Sequence, residues 1–465
     1  MRSNKFDYIG VTFFVLIILV LVFGGALWYL WQEYEVIINR PIPQPVVYQF
    51  NSVPSSFVDT DVTSVTAEAG TFEAWRDELT ANESDFVVVD LKQMIVSLYA
   101  GGQPVKTLKV LSKGREGSWW ETPTGRYGVL SKETSHFSSI GLVWMPWSVQ
   151  FYGNFFIHGW PHYSDGTPVS REYSGGCVRL STEDAKEVFD FVKRGMPILL
   201  YDQETKPAIL LSLQPTASDL RAPTITAKAA LVADLNTGEI LLNKSSDEVL
   251  PIASLTKLMT AVVASELVYL ERSITIQPEM LSSPIQSYPL KIGERYRAFD
   301  LLYPLLEQSS NGAASALSSF LGGKYFVNQM NEKAVSLGMQ DTSFADPAGV
   351  KAANISTLKN MAKLARYILD KRQFLFDISR GKDYPVFGSN VFKGIANYNE
   401  FHDSPGIIGV KNGTSDAARE TLLSVWRFKQ AEEYRTFIVA VLGSEDRKTD
   451  TDRLVNWLTK SFRLE

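Results

Sequence analysis

The chain has 465 residues, 45% of them hydrophobic and 21% charged, which is length and apolar content enough for more than one buried core. Its net charge of −5 comes with no basic block, which argues against nucleic acid as a partner. A single cysteine excludes an internal disulfide framework.

Ile9 to Trp31 is an uncharged run of 23 residues, long enough to cross a bilayer as a helix. Arg2 and Lys5 precede it, while Glu33 and Glu35 follow, so the positive-inside rule keeps residues 1–8 in the cytoplasm and exports the rest. A cleaved signal peptide fits less well, because the run is too long and Gly24-Gly25-Ala26 leads straight into Leu27-Trp28-Tyr29. The expectation is an uncleaved single-pass anchor, 9–31, in the cell membrane. Residues 32–83 read as a spacer. Arg40-Pro41-Ile42-Pro43-Gln44-Pro45 cannot be helix, and one short helix is predicted over Phe72 to Leu79.

A first exported domain is placed at 84–202. Phe86–Leu91, Ile95–Tyr99 and Pro104–Leu111 read as strands, and Thr182–Lys193 as a helix capped by Ser181. The only cysteine, Cys177, stands in Tyr173-Ser174-Gly175-Gly176-Cys177-Val178-Arg179, and His158-Gly159 lies 19 residues earlier. A thiol attacks as thiolate and needs a base, for which His158 is the candidate. Gly175 and Gly176 allow a sharp turn whose N–H groups face a developing oxyanion. A lone cysteine is more often a small buried apolar residue. Export changes that balance, since an unpaired exported cysteine is either intermolecular or reactive. Arg179 is read two ways, as a contact for a substrate carboxylate or as a loop brace. His162 invites a metal reading, but with four histidines in all and no ligand cluster, no metal is expected.

Met145-Pro146-Trp147 through Phe151, Gly153, Ile157-His158-Gly159 and Ser174-Gly175-Gly176-Cys177-Val178-Arg179 together resemble the L,D-transpeptidase catalytic-domain family, as does Thr122-Pro123-Thr124-Gly125 upstream. The resemblance covers about 84–202. It implies a mainly-β fold with Cys177 as nucleophile, His158 as base, and Gly159, Ser174, Gly175, Gly176 and Arg179 around the substrate. One departure is Gly175, where the family often has histidine.

Residues 203–222 read as a connector, and 223–465 as a second domain. Ala229–Asp234 and Glu239–Leu242 are predicted strands about a turn at Asn236-Thr237-Gly238, and Pro251 to Ala261 has helical character. On that helix Ser254 and Lys257 share a face. A desolvated lysine loses proton affinity and can deprotonate a neighbouring serine. Ser309-Ser310-Asn311 and Lys411-Asn412-Gly413-Thr414 follow in the order Ser-x-x-Lys, Ser-x-Asn, Lys-x-Gly. With Leu337-Gly338-Met339 and Phe344 to Gly349, this stretch resembles the D-alanyl-D-alanine carboxypeptidase family. The resemblance implies an α/β penicillin-binding fold, helices on an antiparallel sheet. It makes Ser254 the nucleophile and Lys257 its base, with Ser309 as proton relay and Asn311 on the substrate amide. Lys411, Asn412, Gly413 and Thr414 would meet the substrate carboxylate. Asn412 departs from the usual threonine or serine, and the further β domain common in the family is expected to be absent.

The joint expectation is a bifunctional enzyme acting on peptidoglycan stem peptides, with no cofactor and with β-lactams, carbapenems among them, as covalent inhibitors. The serine site would trim pentapeptide stems to tetrapeptides. The cysteine site would form a thioester from the tetrapeptide and pass it to an amine, or to water. Tethering raises the local concentration of one product near the next site. Three alternatives stand beside it. In one, the second domain binds without cleaving, as Asn412 suggests. The others are a wall-binding scaffold, against which both nucleophile–base pairs argue, and a papain-type protease, which the Gly-Gly-Cys-Val-Arg context fits poorly.

Overall fold

The computed structural model describes residues 71–465, apart from 171–172, 203–212, 214–220, 282–289, 385, 389, 431–432, 463 and 465. The expected cytoplasmic tail 1–8, the anchor 9–31 and the spacer up to residue 70 lie outside the described residues, as does most of the connector 203–222. Among the described residues no helix is long and apolar enough to cross a membrane.

Helix α1 (Phe72–Ala81) begins at Thr71, whose hydroxyl accepts from Ala74 N–H and satisfies one of the orphan donors of the first turn. It falls in the stretch read as spacer. It nevertheless buries Trp75 and Leu79 against Phe86, Val88 and Leu199, as part of the domain that follows. That domain holds two sheets. The first contains β1 (Phe86–Asp90), β2 (Ile95–Ala100), β3 (Gln103–Lys109), β4 (Gly125–Gly128) and β9 (Pro197–Tyr201), in the order β3-β2-β1-β9-β4. Every residue of β1 is buried, as expected of a central strand covered on both faces. The second contains β5 (Ser131–Ser138), β6 (Val143–Tyr152), β7 (Phe155–His158) and β8 (Val178–Arg179), in that order, with β7 and β8 parallel. Helix α2 (Thr182–Phe191) is capped by Ser181, whose Oγ accepts from Asp184 N–H at 3.0 Å, and it stops two residues short of the predicted Lys193 because Val192 turns extended.

The second domain is an antiparallel sheet of β10 (Ala229–Asp234), β11 (Ile240–Lys244), β16 (Ile407–Ser415), β17 (Arg419–Gln430) and β18 (Glu433–Ser444), ordered β11-β10-β18-β17-β16. Two short pairs accompany it: β12 (Leu250–Pro251) with β15 (Ile355–Ser356), and β13 (Ser273–Thr275) with β14 (Arg295–Arg297). The period of two sorts β10 between two cores. Ala229, Leu231 and Ala233 face the helices α3 (Thr256–Leu267), α4 (Leu302–Leu306), α5 (Asn311–Ser319), α6 (Gly323–Ser336), α7 (Leu358–Lys371) and α8 (Gln373–Ser379). Ala230 and Val232 face α9 (Arg447–Phe462) through Leu454, Leu458 and Phe462. All twelve residues of α3 are buried, so this helix is the hub of the domain.

The two domains share one continuous core, with Val149, Phe151 and Tyr127 in the same cluster as Leu258, Phe326 and Leu364. Gly153 fits there because a Cβ would fall 2.1 Å from Leu267 Cδ2. A fully buried ion cluster lies in the contact. Lys333 Nζ sits 3.1 Å from Glu266 Oε2 and donates to Tyr127 and Tyr367, and Arg372 lies 3.0 Å from Glu266 Oε1. Burial alone would raise the Glu266 carboxyl, but Lys333 and Arg372 hold it below the usual range.

Candidate active sites

The cysteine site grows from the β7–β8 pairing. Ile157 aligns with Val178 and His158 with Arg179. Alternation then puts Phe156, His158, Cys177 and Arg179 on one face, with Cys177 across from Phe156 and diagonal to His158. His158 Nδ1 donates to the carbonyl of Gly159 at 2.6 Å, which fixes Nε2 as the nitrogen able to take a proton. Burial pushes His158 down to about 3, helped by the Arg179 charge and opposed by the Gly159 bond. Burial likewise lifts the Cys177 thiol to about 11. Both groups are therefore held in their neutral forms at rest. At rest the thiol points to the Asn154 carbonyl, 3.6 Å away.

The loop before Cys177 is tightly held. Ser174 Oγ donates to the Cys177 carbonyl at 2.5 Å and accepts from Gly176 N–H at 3.1 Å, so Ser174 ties the turn together and is buried. The expectation that both glycine amides face an oxyanion needs correction, because Gly176 N–H is consumed in this way. The amides of Gly175 and Cys177 are those left to the role. Gly176 has φ +108, and a Cβ there would fall 2.4 Å from the Phe155 ring. Gly175 has open space above its Cα, so the histidine of the family pattern would fit. Arg179 is buried, lies over Trp160 and donates to the Tyr173 carbonyl at 3.5 Å, a bracing arrangement. Gly159 N–H donates to the Pro146 carbonyl at 2.8 Å. Among the described residues no group of three or more His, Cys, Asp or Glu is placed to hold a metal.

The serine site lies between α3, α5 and the edge strand β16. Ser254 sits in a 3₁₀ turn, Ala253–Leu255, that feeds α3, where i and i+3 side chains eclipse more closely than on the α-helix read from sequence. Lys257 Nζ is 2.9 Å from Ser254 Oγ, 2.8 Å from Asn311 Oδ1 and 2.6 Å from the Ala348 carbonyl. Ser309 is not among these partners. It is half-buried, with a strained φ of +58, one residue before the Ser310 N-cap of α5. Burial lowers Lys257 to about 7, against the pull of Asp346. A neutral amine has two N–H groups and one lone pair. Asn311 and Ala348 take the two hydrogens, which turns the lone pair toward the Ser254 hydroxyl.

Two groups here were missed or left without a role in the sequence. Asp346 Oδ1 accepts N–H bonds from Ala348, Gly349 and Val350 at 2.7–3.1 Å, and Oδ2 accepts from Lys351 at 2.8 Å, folding the turn that offers the Ala348 carbonyl to Lys257. The Asp-Pro-x-Gly pattern carried that signal. Arg447 donates to the Gly413 carbonyl at 2.9 Å and to Thr414 Oγ1 at 2.5 Å, and pairs with Glu400 at 2.7 Å. It stands 34 residues beyond Gly413, and only the sheet brings the two together. Lys411 is fully buried; burial first, then the Lys257 and Arg447 charges, push its pKa far down, so an arriving carboxylate would restore its charge. Asn412 donates to the Tyr398 carbonyl at 2.7 Å and to Glu400 Oε2 at 2.6 Å, so both its amide hydrogens are committed.

The structure thus sets the Ser254 hydroxyl beside the Lys257 amine, and Cys177 diagonal to the His158 imidazole across the β7–β8 pairing. A D-alanyl-D-alanine carboxypeptidase family profile matches residues 216–445, and an L,D-transpeptidase catalytic-domain profile matches 84–200. A D-alanyl-D-alanine endopeptidase of Escherichia coli (strain K12) is 32% identical over 179 residues, 37% of this chain and 53% of that protein. The D-alanyl-D-alanine carboxypeptidase DacB2 of Mycobacterium tuberculosis is 30% identical over 216 residues, 45% of this chain and 74% of that protein. A solved D-alanyl-D-alanine carboxypeptidase from Mycobacterium tuberculosis H37Rv shares 26% identity, with a TM-score of 0.46, over 53% of this chain and 95% of that one. The chain spans about half the length of the endopeptidases it matches, 53% and 46% for those of Escherichia coli and Pseudomonas aeruginosa. It belongs to the D-alanyl-D-alanine carboxypeptidase family and carries an L,D-transpeptidase catalytic domain ahead of that region.

Proposed function

We propose that the protein is a membrane-anchored, bifunctional enzyme of peptidoglycan stem peptides, with its N-terminus cytoplasmic and both catalytic domains outside. The anchor rests on the apolar run 9–31 and its flanking charges. The observation that carries the catalytic reading is Lys257 at about 7, bridging Ser254, Asn311 and the Ala348 carbonyl. Lys257 takes the Ser254 proton as Oγ attacks the carbonyl of the penultimate D-Ala. The backbone N–H of Ser254 steadies the oxyanion, the terminal D-Ala leaves as the protonated amine, and water releases the acyl group. Lys411, Thr414 and Arg447 receive the terminal carboxylate.

The tetrapeptide so formed is the donor for the first domain. Cys177 attacks the carbonyl of the residue before the last D-Ala while His158 takes the thiol proton, then passes it to the departing amine. The thioester is resolved by an amine of a neighbouring stem, or by water. β-Lactams mimic the acyl donor at both nucleophiles. A second reading, a second domain that binds without cleaving, is favoured by the commitment of both Asn412 amide hydrogens to the protein itself.

Incubation with a pentapeptide stem and product analysis by mass spectrometry tests the reading. D-Ala release should vanish in Ser254→Ala, and thioester-derived products from tetrapeptide should vanish in Cys177→Ala. D-Ala release that survives Ser254→Ala contradicts the serine assignment, and wild-type protein that releases none favours the second reading.

A further inference from the structure

Resting on that reading of the cysteine site, we infer that Lys371 and Arg372, at the end of α7 in the second domain, are positioning residues for the first domain's nucleophile. The contact runs through one loop, residues 112–122. On its inner side the loop is paired to the cysteine turn. Arg179 N–H donates to the Ser112 carbonyl at 2.8 Å and Ser174 N–H to the Lys113 carbonyl at 3.0 Å. Thr122 Oγ1 donates to the Gly176 carbonyl at 2.8 Å and accepts from Gly114 N–H at 2.9 Å. The loop is packed too closely to shift alone. A Cβ on Gly114 would fall 2.4 Å from the Trp120 carbonyl, and one on Gly176 would fall 2.9 Å from the same oxygen.

On its outer side the loop is held by the other domain. Lys371 Nζ reaches Glu121 Oε1 and Asp202 Oδ2, each at 2.7 Å, and Arg372 donates to the Glu121 carbonyl at 3.0 Å. Glu121 Oε2 in turn accepts from Gly117 N–H at 2.7 Å. Lys113, also on the loop, shares Asp202 at 3.3 Å. Lys371, Arg372 and Glu121 are buried, so removing the Lys371 cation strands carboxylate charge in the interior.

The consequence for chemistry follows from peptide planarity. Thr122 holds the Gly176 carbonyl, so the N–H of Cys177, on the opposite edge of the same peptide plane, is aimed the other way. That amide is one of the two left for the oxyanion. The second domain thereby fixes, through Glu121 and Thr122, the orientation of a donor in the first.

The test uses the full chain as wild type, Lys371→Met and Lys371→Arg. Carbapenem acylation at each nucleophile is followed by intact mass in Ser254→Ala and Cys177→Ala backgrounds. Alkylation of the lone thiol by iodoacetamide is followed against pH. In Lys371→Met, acylation at Cys177 should slow on the order of tenfold or more, as expected when a reacting group is misplaced by a fraction of an ångström. The alkylation midpoint should fall from about 11 toward the ordinary thiol value as the turn opens, with Ser254 acylation unchanged. Lys371→Arg, which keeps the cation, should restore both cysteine readouts. An alkylation profile identical to wild type, or equal slowing at both nucleophiles, overturns the inference. A wild-type cysteine that never acylates sinks the transpeptidase reading instead, and the alkylation profile alone then decides this one.

Discussion

Gly413 approaches Ser254 so closely that a Cβ on it would fall 2.7 Å from the Ser254 backbone nitrogen. Strand β16 therefore runs against the nucleophile's own amide, which is the oxyanion donor of the proposed mechanism. Gly413→Ala should force the two apart and lower Ser254 acylation on the order of 10²-fold, the cost of losing one oxyanion donor. Rapid-mixing mass spectrometry with a β-lactam reads this, and Cys177 acylation serves as the internal control. Wild-type kinetics at Ser254 in that variant would remove β16 from the oxyanion site.

Lys257 acts as base only when neutral. With its pKa lowered to about 7, the Ser254 acylation rate should climb as pH rises through 7 and level off above it. The sign follows from the direction of the shift, since protonation below 7 removes the lone pair. Lys257→Met should abolish acylation at every pH. A rate still climbing toward pH 10 would mean that the lysine keeps its ordinary proton affinity.

Arg447 bonds to Gly413 and Thr414 at the exposed end of β16 and pairs its guanidinium with the Glu400 carboxylate. Arg447→Met should raise KM for a stem ending in a free carboxylate by about tenfold or more, the worth of one charge-assisted hydrogen bond. KM for the same stem ending in a carboxamide should not change. Steady-state kinetics on the two substrates give the comparison, and equal losses on both would place Arg447 in a structural role.

Lys333 and Arg372 neutralise Glu266 inside the contact between the domains. Lys333→Met leaves Glu266 with one cation fewer in a dry site and should cost about 3–5 kcal/mol. Because both domains share one core, calorimetry should show the wild-type catalytic region melting in one transition, with the variant shifted down as a unit. Two separate transitions would mean that the domains fold independently.

Much of this was legible in the sequence. The strands at 86–90, 95–100 and 229–234 and the Ser181-capped helix followed from alternation and capping, and the contact of Ser254 with Lys257 from their spacing. What stayed hidden depends on contacts distant along the chain. The pairing of Lys371 with Glu121 spans 250 residues and joins two domains, and neither residue stands in a motif. Asn412 read as a departure from a pattern; its commitment to Glu400 appears only when the Tyr398–Glu400 loop is placed beside β16. The oxyanion role expected of Gly176 failed for a local reason, the Ser174 hydroxyl two residues back.

The most direct measurement is the intact mass of the region from residue 40 onward after incubation with a carbapenem, for wild type, Cys177→Ala and Ser254→Ala. Two adducts, each lost with its own substitution, are the predicted result and would establish two activated nucleophiles on one chain. A single adduct that disappears only with Cys177→Ala would contradict the bifunctional account and leave the second domain as a binding module.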